Sequence, residues 1–383
     1  VVLVNIAISM NFCIFEVKGE TNENVQKESE IQIDKDYMRE VIEEITFSPH
    51  PINSKEIDQV KKCIVSEFNK IGYDNIEYQK FEYNDEKNEN AIRHSSQIDI
   101  FLAPTSEDNT SDGAGENVII KKDSNQNTQK KLIISAHYDS SPTSLGANDN
   151  GSGVAIVLEI AQILKNIDMP YNIEFIMFSG EEKYMLGSRW YAGQLSEDEK
   201  DNIIGVINVD TVAEKSDLGY WIMVNGDKRN SDIDYESDDA MQKLAELNGN
   251  ALSKLFQVND RFSVVMAMNS DHYPFSLLDI PSVTIVQNLE EELKINDESD
   301  IKENLDYETF YDLRSGFGRS VDRRPCFGSG QGSFFQRRVR SRQCLCMARR
   351  YSGRCQPSAH ADHDGRQVFS HGMGLGGFRL DFV

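Results

Sequence analysis

One histidine and a set of carboxylates stand at intervals that suit metal-dependent hydrolysis. His137 and Asp139 lie in S-A-H-Y-D at 135–139, and twelve residues past His137 a Gly-rich turn, 146–153, carries Asp149. Glu181 and Glu182 follow Ser179-Gly180, and Asp210 closes I-N-V-D at 207–210. Imidazole with carboxylate is a donor set for zinc or a similar divalent ion, and a carboxylate can bridge two ions. Taken singly, each piece is ordinary: a His after a strand usually bonds to backbone, a Glu pair usually starts a solvated helix, and N-D-N-G is a common turn. What carries weight is their joint occurrence at the ends of successive strands.

Those strands follow from the hydrophobic pattern. Asn117–Ile120, Lys131–Ala136, Ile173–Phe178, Ile203–Val209 and Ser282–Val286 are short apolar runs rich in Ile and Val, as in strands buried on both faces. Gly153–Lys165 is apolar nearly all round and predicts a buried helix, with further helices over Ser188–Leu195 and Asp239–Leu255. Upstream, Tyr37–Ile45 and Ser54–Ile71 have helical spacing; Ile57, Val60, Ile64, Phe68 and Ile71 share one face, and Gly72 stops the second helix. Asn75–Tyr83 reads as a strand, and 84–116, polar apart from Ile98–Ala103, as a hairpin or surface insertion. Strands alternating with helices predict an α/β sheet covered on both faces, with ligands at the carboxyl ends of the strands.

The ordered set of motifs resembles the M28 zinc metallopeptidases, the group of bacterial di-zinc aminopeptidases. The matching pieces are S-A-H-Y-D, A-N-D-N-G-S-G at 147–153, S-G-E-E at 179–182 with Gly187-Ser188 beyond, I-N-V-D, S-D-H-Y-P-F at 270–275 and I-P-S at 280–282. The resemblance runs from about Tyr37 to Phe310. It implies a single-domain zinc-exopeptidase fold with a mixed, mostly parallel central sheet. Carried over by position, it implies that His137 and Asp210 bind one zinc, Asp149 bridges two, Glu182 binds the second, and Glu181 is the general base. Asp139, two residues beyond His137, could orient the imidazole. Asp271 and His272 are expected to line the pocket. The implied substrates are peptides with a free N-terminus, whose α-amine suits an acidic site.

One position departs from the family. A fifth ligand, a His in a motif like H-T-x-x-D-T, falls where this chain has Asn296. An amide oxygen is a poor zinc ligand beside imidazole, so two zinc sites are expected with the second one weak. Asn296 would be a weak fifth ligand at best; alternatively Asp297 substitutes, or His272 turns inward. A single-zinc glutaminyl-cyclase-like enzyme and a catalytically impaired binding module are the competing readings. The intact His137 argues against the cyclase, and Glu181 with four of five ligands argues against the binding module.

Charge and composition bound the partners. The chain has 40 Lys+Arg against 63 Asp+Glu, a net charge of -23, with 39% hydrophobic residues. Residues 311–383 hold 13 Arg, no Lys, 5 Asp and no Glu, a net of +8, which leaves -31 for the first 310. A nucleic acid held by phosphate contacts is excluded as partner of so acidic a body. The Arg/Gly-rich tail, 311–383, is expected to be disordered or frame-shifted, and its His360, Asp362, His363 and Asp364 to be a decoy. At the other end, Val1–Phe15 has the length and apolarity of a signal-peptide core. Residues 1–19 therefore read as a signal remnant and 20–36 as a polar leader before the peptidase domain, 37–310. The protein is expected to be secreted or extracellular, touching a membrane only through an uncleaved N-terminal segment.

Overall fold

The computed structural model describes residues 34–93, 101–102, 111–214, 220–224, 262–266, 269–288 and 295–307, with four short strands between 360 and 380. The segments 1–33 and Asp239–Leu255 lie outside the described residues. Two compact units divide the chain, Val1–Ser320 and Val321–Val383. In the second, His360–Ala361 pairs with Gln367–Val368 and Met373–Leu375 with Phe378–Leu380, both antiparallel.

The first unit opens with two helices whose ends are set by side chains. Helix α1, Lys35–Ile45, is capped by Asp34, which accepts from Tyr37 N, and buries Met38, Val41, Ile42 and Ile45. Helix α2, Lys55–Ile71, is capped by Ser54 and ends at Gly72, whose φ of 100° lets its N–H and that of Tyr73 turn back to Phe68 O. Strand β1, Ile76–Tyr83, then pairs antiparallel with β2, Gly113–Lys122. Between them, in the stretch read as a hairpin or surface insertion, lies helix α3, Asp85–Arg93, and β2 begins four residues earlier than the apolar pattern indicated.

Strands β3 (Lys131–His137), β4 (Asn172–Phe178), β5 (Ile203–Val209), β6 (Tyr220–Val224), β7 (Phe262–Met266) and β8 (Ser282–Gln287) complete an eight-stranded mixed sheet in the order β1-β2-β4-β3-β5-β8-β6-β7. The four central strands, β4, β3, β5 and β8, run parallel. Strands β6 and β7 fall in stretches the sequence left as loop or unassigned.

Alternation along the strands sends neighbours to opposite faces. Leu132, Ile134, Phe175, Met177 and Val209 pack with α1, α2 and α4 (Gly153–Leu164). Ile133, Ile176, Phe178 and Val206 pack with residues of α5 (Leu186–Gly193) and α7 (Tyr273–Leu277). A short helix α6, Glu197–Asn202, leads into β5. A Cβ on Gly153 would run into the Asn150 side chain and the Val209 carbonyl, so glycine lets α4 start hard against the end of β5. No helix among the described residues is long and apolar enough to cross a membrane.

Candidate metal centre

The register of the central strands builds the site. Ser135 pairs with Asn208 across β3 and β5, which brings His137 level with Asp210, while His137 pairs with Phe178 at the end of β4, three residues before Glu181. His137 Nε2 lies 3.2 Å from Asp149 Oδ1, 3.5 Å from Asp210 Oδ1 and 4.0 Å from Glu181 Oε2. Donor atoms of His137, Asp149 and Asp210 all fall within 4.8 Å of one another, and all three residues are buried.

A cation fits this cluster on two counts. His137 Nε2 and Asp149 Oδ1 are buried without a hydrogen-bond partner. A tetrahedral zinc with donors at about 2.0–2.2 Å needs donor atoms about 3.3–3.6 Å apart, close to the separations of 3.2 and 3.5 Å. Electrostatics point the same way: burial opposes charging the His137 ring, yet Asp139, Asp149 and Asp210 hold its pKa well above the usual imidazole value. The pocket is therefore built to hold positive charge. Burial pushes the Glu181 carboxyl well above the usual carboxylate range; His137 opposes this, and Asp210, Asp271 and Glu182 add to it.

Asp149 is placed by its flanking polar residues. The Asn148 side-chain oxygen accepts from Ala213 N at 2.8 Å, Asn150 Nδ2 donates to Val209 O at 2.8 Å, and Ser152 Oγ accepts from Val212 N at 3.0 Å. These bonds stitch the turn to the loop after Asp210. Asp300 accepts from Asn148 N at 2.7 Å, Asp149 N at 3.2 Å and Ser144 Oγ at 3.1 Å, and burial raises its carboxyl to about 7. The sequence reading assigned Asp300 no role; the only signal for it was the Asp four residues after Asn296.

Asp210 is set by a buried hydroxyl–amide chain. Ser270 Oγ donates to Asp210 Oδ2 at 2.9 Å and accepts from Asn208 Nδ2 at 2.9 Å, while Asn208 Oδ1 accepts from Ser135 Oγ at 2.9 Å. Thr284 Oγ1 takes the other Asn208 proton at 3.1 Å and bonds His272 Nδ1 at 2.8 Å. His272 Nδ1 is thus engaged toward β8, and His272 is not part of the His–Asp–Asp cluster. Asp271 is buried, accepts from Ser188 Oγ, and is raised by burial to about 7.

Asp139 touches both the imidazole and the loop after β4. His137 Nδ1 bonds the Asp139 backbone carbonyl at 3.1 Å, whereas the Asp139 carboxylate lies 3.6 Å from it. That carboxylate instead accepts from Gly180 N at 2.8 Å, Glu181 N at 3.1 Å and Glu182 N at 3.2 Å. Strand β3 ends at His137, and beyond it the Asp139 carboxylate lies between the imidazole, 3.6 Å away, and the backbone of 180–182.

Glu182 meets Asn296. In the orientation that satisfies both groups, the Asn296 amide nitrogen donates to Glu182 Oε1 at 2.7 Å and Oε2 at 3.0 Å. Asp297 is exposed and its carboxylate accepts from Ser299 N and Oγ, so it does not stand in for the missing His.

Comparison with known proteins places this geometry. A model of Peptidase family M28 matches residues 117–317. Aminopeptidase YwaD of Bacillus subtilis is 35% identical over 172 residues, covering 45% of this chain and 35% of that protein. The chain thus spans about a third of the length of that relative. Among solved structures, a zinc aminopeptidase from Bacillus subtilis superposes with a TM-score of 0.57 at 18% identity, covering 74% of this chain and 93% of that one. A glutaminyl cyclase from Porphyromonas gingivalis gives 0.50 at 18% identity, covering 73% and 97%. Both share the fold.

Proposed function

The chain belongs to Peptidase family M28, a family of metallopeptidases, and from that membership and the cluster at the sheet edge we propose that it is a zinc-dependent aminopeptidase. It would release N-terminal residues from peptides. The observation that carries the reading is the buried His137–Asp149–Asp210 group with Glu181 Oε2 4.0 Å from the same imidazole nitrogen.

In this reading His137, Asp149 and Asp210 hold the tight zinc. When bound, zinc polarises the scissile carbonyl and acidifies a water. Glu181, raised by burial, takes the proton of the attacking water and returns it to the leaving amine. Asp139 fixes the Glu181 backbone so that its carboxyl faces the imidazole side of the site. Glu182 and Asp149 present negative charge to the free α-amine of the substrate. The second metal position has only these two acids, because Asn296 meets Glu182 as a hydrogen-bond donor. Export through residues 1–19 completes the reading.

A one-zinc occupancy also suits a glutaminyl-cyclase-like reaction, which the likeness to the Porphyromonas gingivalis enzyme keeps as the second reading. Offering the zinc-loaded protein an aminoacyl-anilide, its N-acetylated form and an N-terminal glutaminyl peptide separates the two. Release of aniline only from the free-amine substrate, reduced about 10²- to 10⁴-fold in Glu181→Gln, is the expected result. Undiminished activity in Glu181→Gln removes the base from the scheme.

A further inference from the structure

The turn that carries Glu181 and Glu182 is gripped in front by the Asp139 carboxylate. It is also gripped from behind, by helix α3, which lies outside the family match, and by Arg189, which lies within it. Helix α3 lacks an apolar stripe; among its residues whose burial is described, only Asn88 and Ala91 are buried. It starts because Asn84 Oδ1 accepts from Lys87 N at 3.0 Å and Asp85 and Glu86 fill the first turn. One turn in, Asn88 is 2% exposed, and a buried amide needs partners. Its Oδ1 accepts from Arg189 Nη1 and its Nδ2 donates to Lys183 O at 3.4 Å.

Arg189 is fully buried. Its Nε donates to Phe101 O at 2.7 Å, Nη1 also reaches Tyr184 O at 3.2 Å, and the guanidinium lies 4.5 Å over the Phe101 ring. Lys183 Nζ pairs with Asp85 Oδ1 at 2.8 Å and lies 4.7 Å over Tyr83. So the two residues directly after Glu182 are held through carbonyls and an ammonium group by α3 and Arg189. The following backbone is left-handed at two non-glycine residues in succession, Tyr184 (φ 64°) and Met185 (φ 57°). Such a conformation persists only where its surroundings over-determine it. Met185 N and Leu186 N close back onto Glu181 O and Gly180 O, both at 2.8 Å, so a shift at 183–185 moves the acids themselves.

We propose that helix α3 is a brace for the Glu181–Met185 turn, with Asn88 and Arg189 as positioning residues for Glu181 and Glu182. The functional part of this inference rests on the roles given above to those two acids. Asn88→Asp isolates the link: it keeps an oxygen for Arg189 and adds an ion pair there, but removes the donor to Lys183 O and sets an acceptor against that carbonyl. In the zinc-loaded full chain, kcat on an aminoacyl-anilide is expected to fall about tenfold, with KM within about twofold and Tm equal to wild type or higher. Amide exchange over 180–186 should quicken at least about threefold while 146–152 stays unchanged. Wild-type exchange over 180–186 overturns the brace whatever the activity, and a fall in kcat matched by a fall in Tm reduces Asn88 to a folding residue. Should the exchange change as expected while Glu181→Gln keeps full activity, the brace stands and the assignment of the base fails.

Discussion

Replacing Asp139 by Asn tests whether its carboxylate acts on the loop or on the imidazole. Three backbone N–H groups, from Gly180, Glu181 and Glu182, converge on it at 2.8, 3.1 and 3.2 Å, and the residue is fully buried. Bonds to a charged acceptor contribute about 1.5–3 kcal/mol each and neutral ones about 1. An Asn that keeps Oδ1 toward Gly180 and Glu181 weakens two bonds and loses the third, with its NH₂ against the Glu182 N–H. Two bonds weakened by about 0.5–2 kcal/mol each and one lost at about 1.5–3 sum to about 2.5–7 kcal/mol, which at roughly 2 °C per kcal/mol for a unit of this size lowers Tm by roughly 5–14 °C. With zinc saturating, kcat should fall about 10²-fold because the turn bearing the base is displaced. Zinc affinity should drop by no more than about tenfold, since the Nδ1 partner of His137 is the Asp139 carbonyl, which the substitution keeps. Thermal melts, a zinc-competition titration and steady-state rates on one sample decide it. A variant with wild-type Tm and kcat but badly weakened zinc binding would refute the reasoning and restore the carboxylate as orienter of the imidazole.

Three other substitutions probe separate parts of the account. Asn296→His should raise the zinc retained after gel filtration from one to two per chain by elemental analysis; two ions already held tightly by wild type would contradict a weak second site. Ser270→Ala removes the donor to Asp210 Oδ2 and the acceptor of Asn208 Nδ2 and should weaken zinc binding about tenfold at a stability cost of about 1–3 kcal/mol; unchanged zinc affinity would show that Asp210 needs no such support. Glu159, buried on α4 with Oε2 unpartnered, has its carboxyl raised by burial. A raised folded pKa favours folding below the unfolded value of about 4.3 and that contribution is lost as pH rises through the folded one. Glu159→Gln should therefore gain in Tm on wild type as pH rises above the unfolded value of about 4.3, and a gap that stays constant with pH would speak against the burial argument.

What the sequence made legible was whatever depends on local pattern. Helix α2 could be read from five apolar residues and Gly72, and the central strands from unbroken Ile/Val runs, because both signals are set by neighbours in the chain. Since those strands are parallel, their carboxyl ends share one edge, which gathers His137, Glu181 and Asp210, while side-chain bonds of the 147–152 turn bring Asp149 to them. Helix α3 was illegible because DEKNENAIR buries an amide rather than an apolar stripe, and its partner, Arg189, is 101 residues away. Strands β6 and β7 are five residues each, too short to declare a period. The bonds of the Asp139 carboxylate to the backbone of 180–182 were illegible because their donors lie 41 to 43 residues away. Asp300 acts across 151 residues on a backbone N–H, a contact that side-chain spacing does not announce.

The central claim is that the His137–Asp149–Asp210 cluster holds the metal on which N-terminal peptide hydrolysis depends. Purified protein stripped with a chelator and titrated with zinc, while its activity on an aminoacyl-anilide is followed, tests it most directly. Activity lost on stripping and fully restored at one equivalent of zinc, in wild type but not in Asp210→Asn, is the predicted result. Aniline release that ignores the chelator, or no zinc-restorable release from any aminoacyl-anilide, would contradict it.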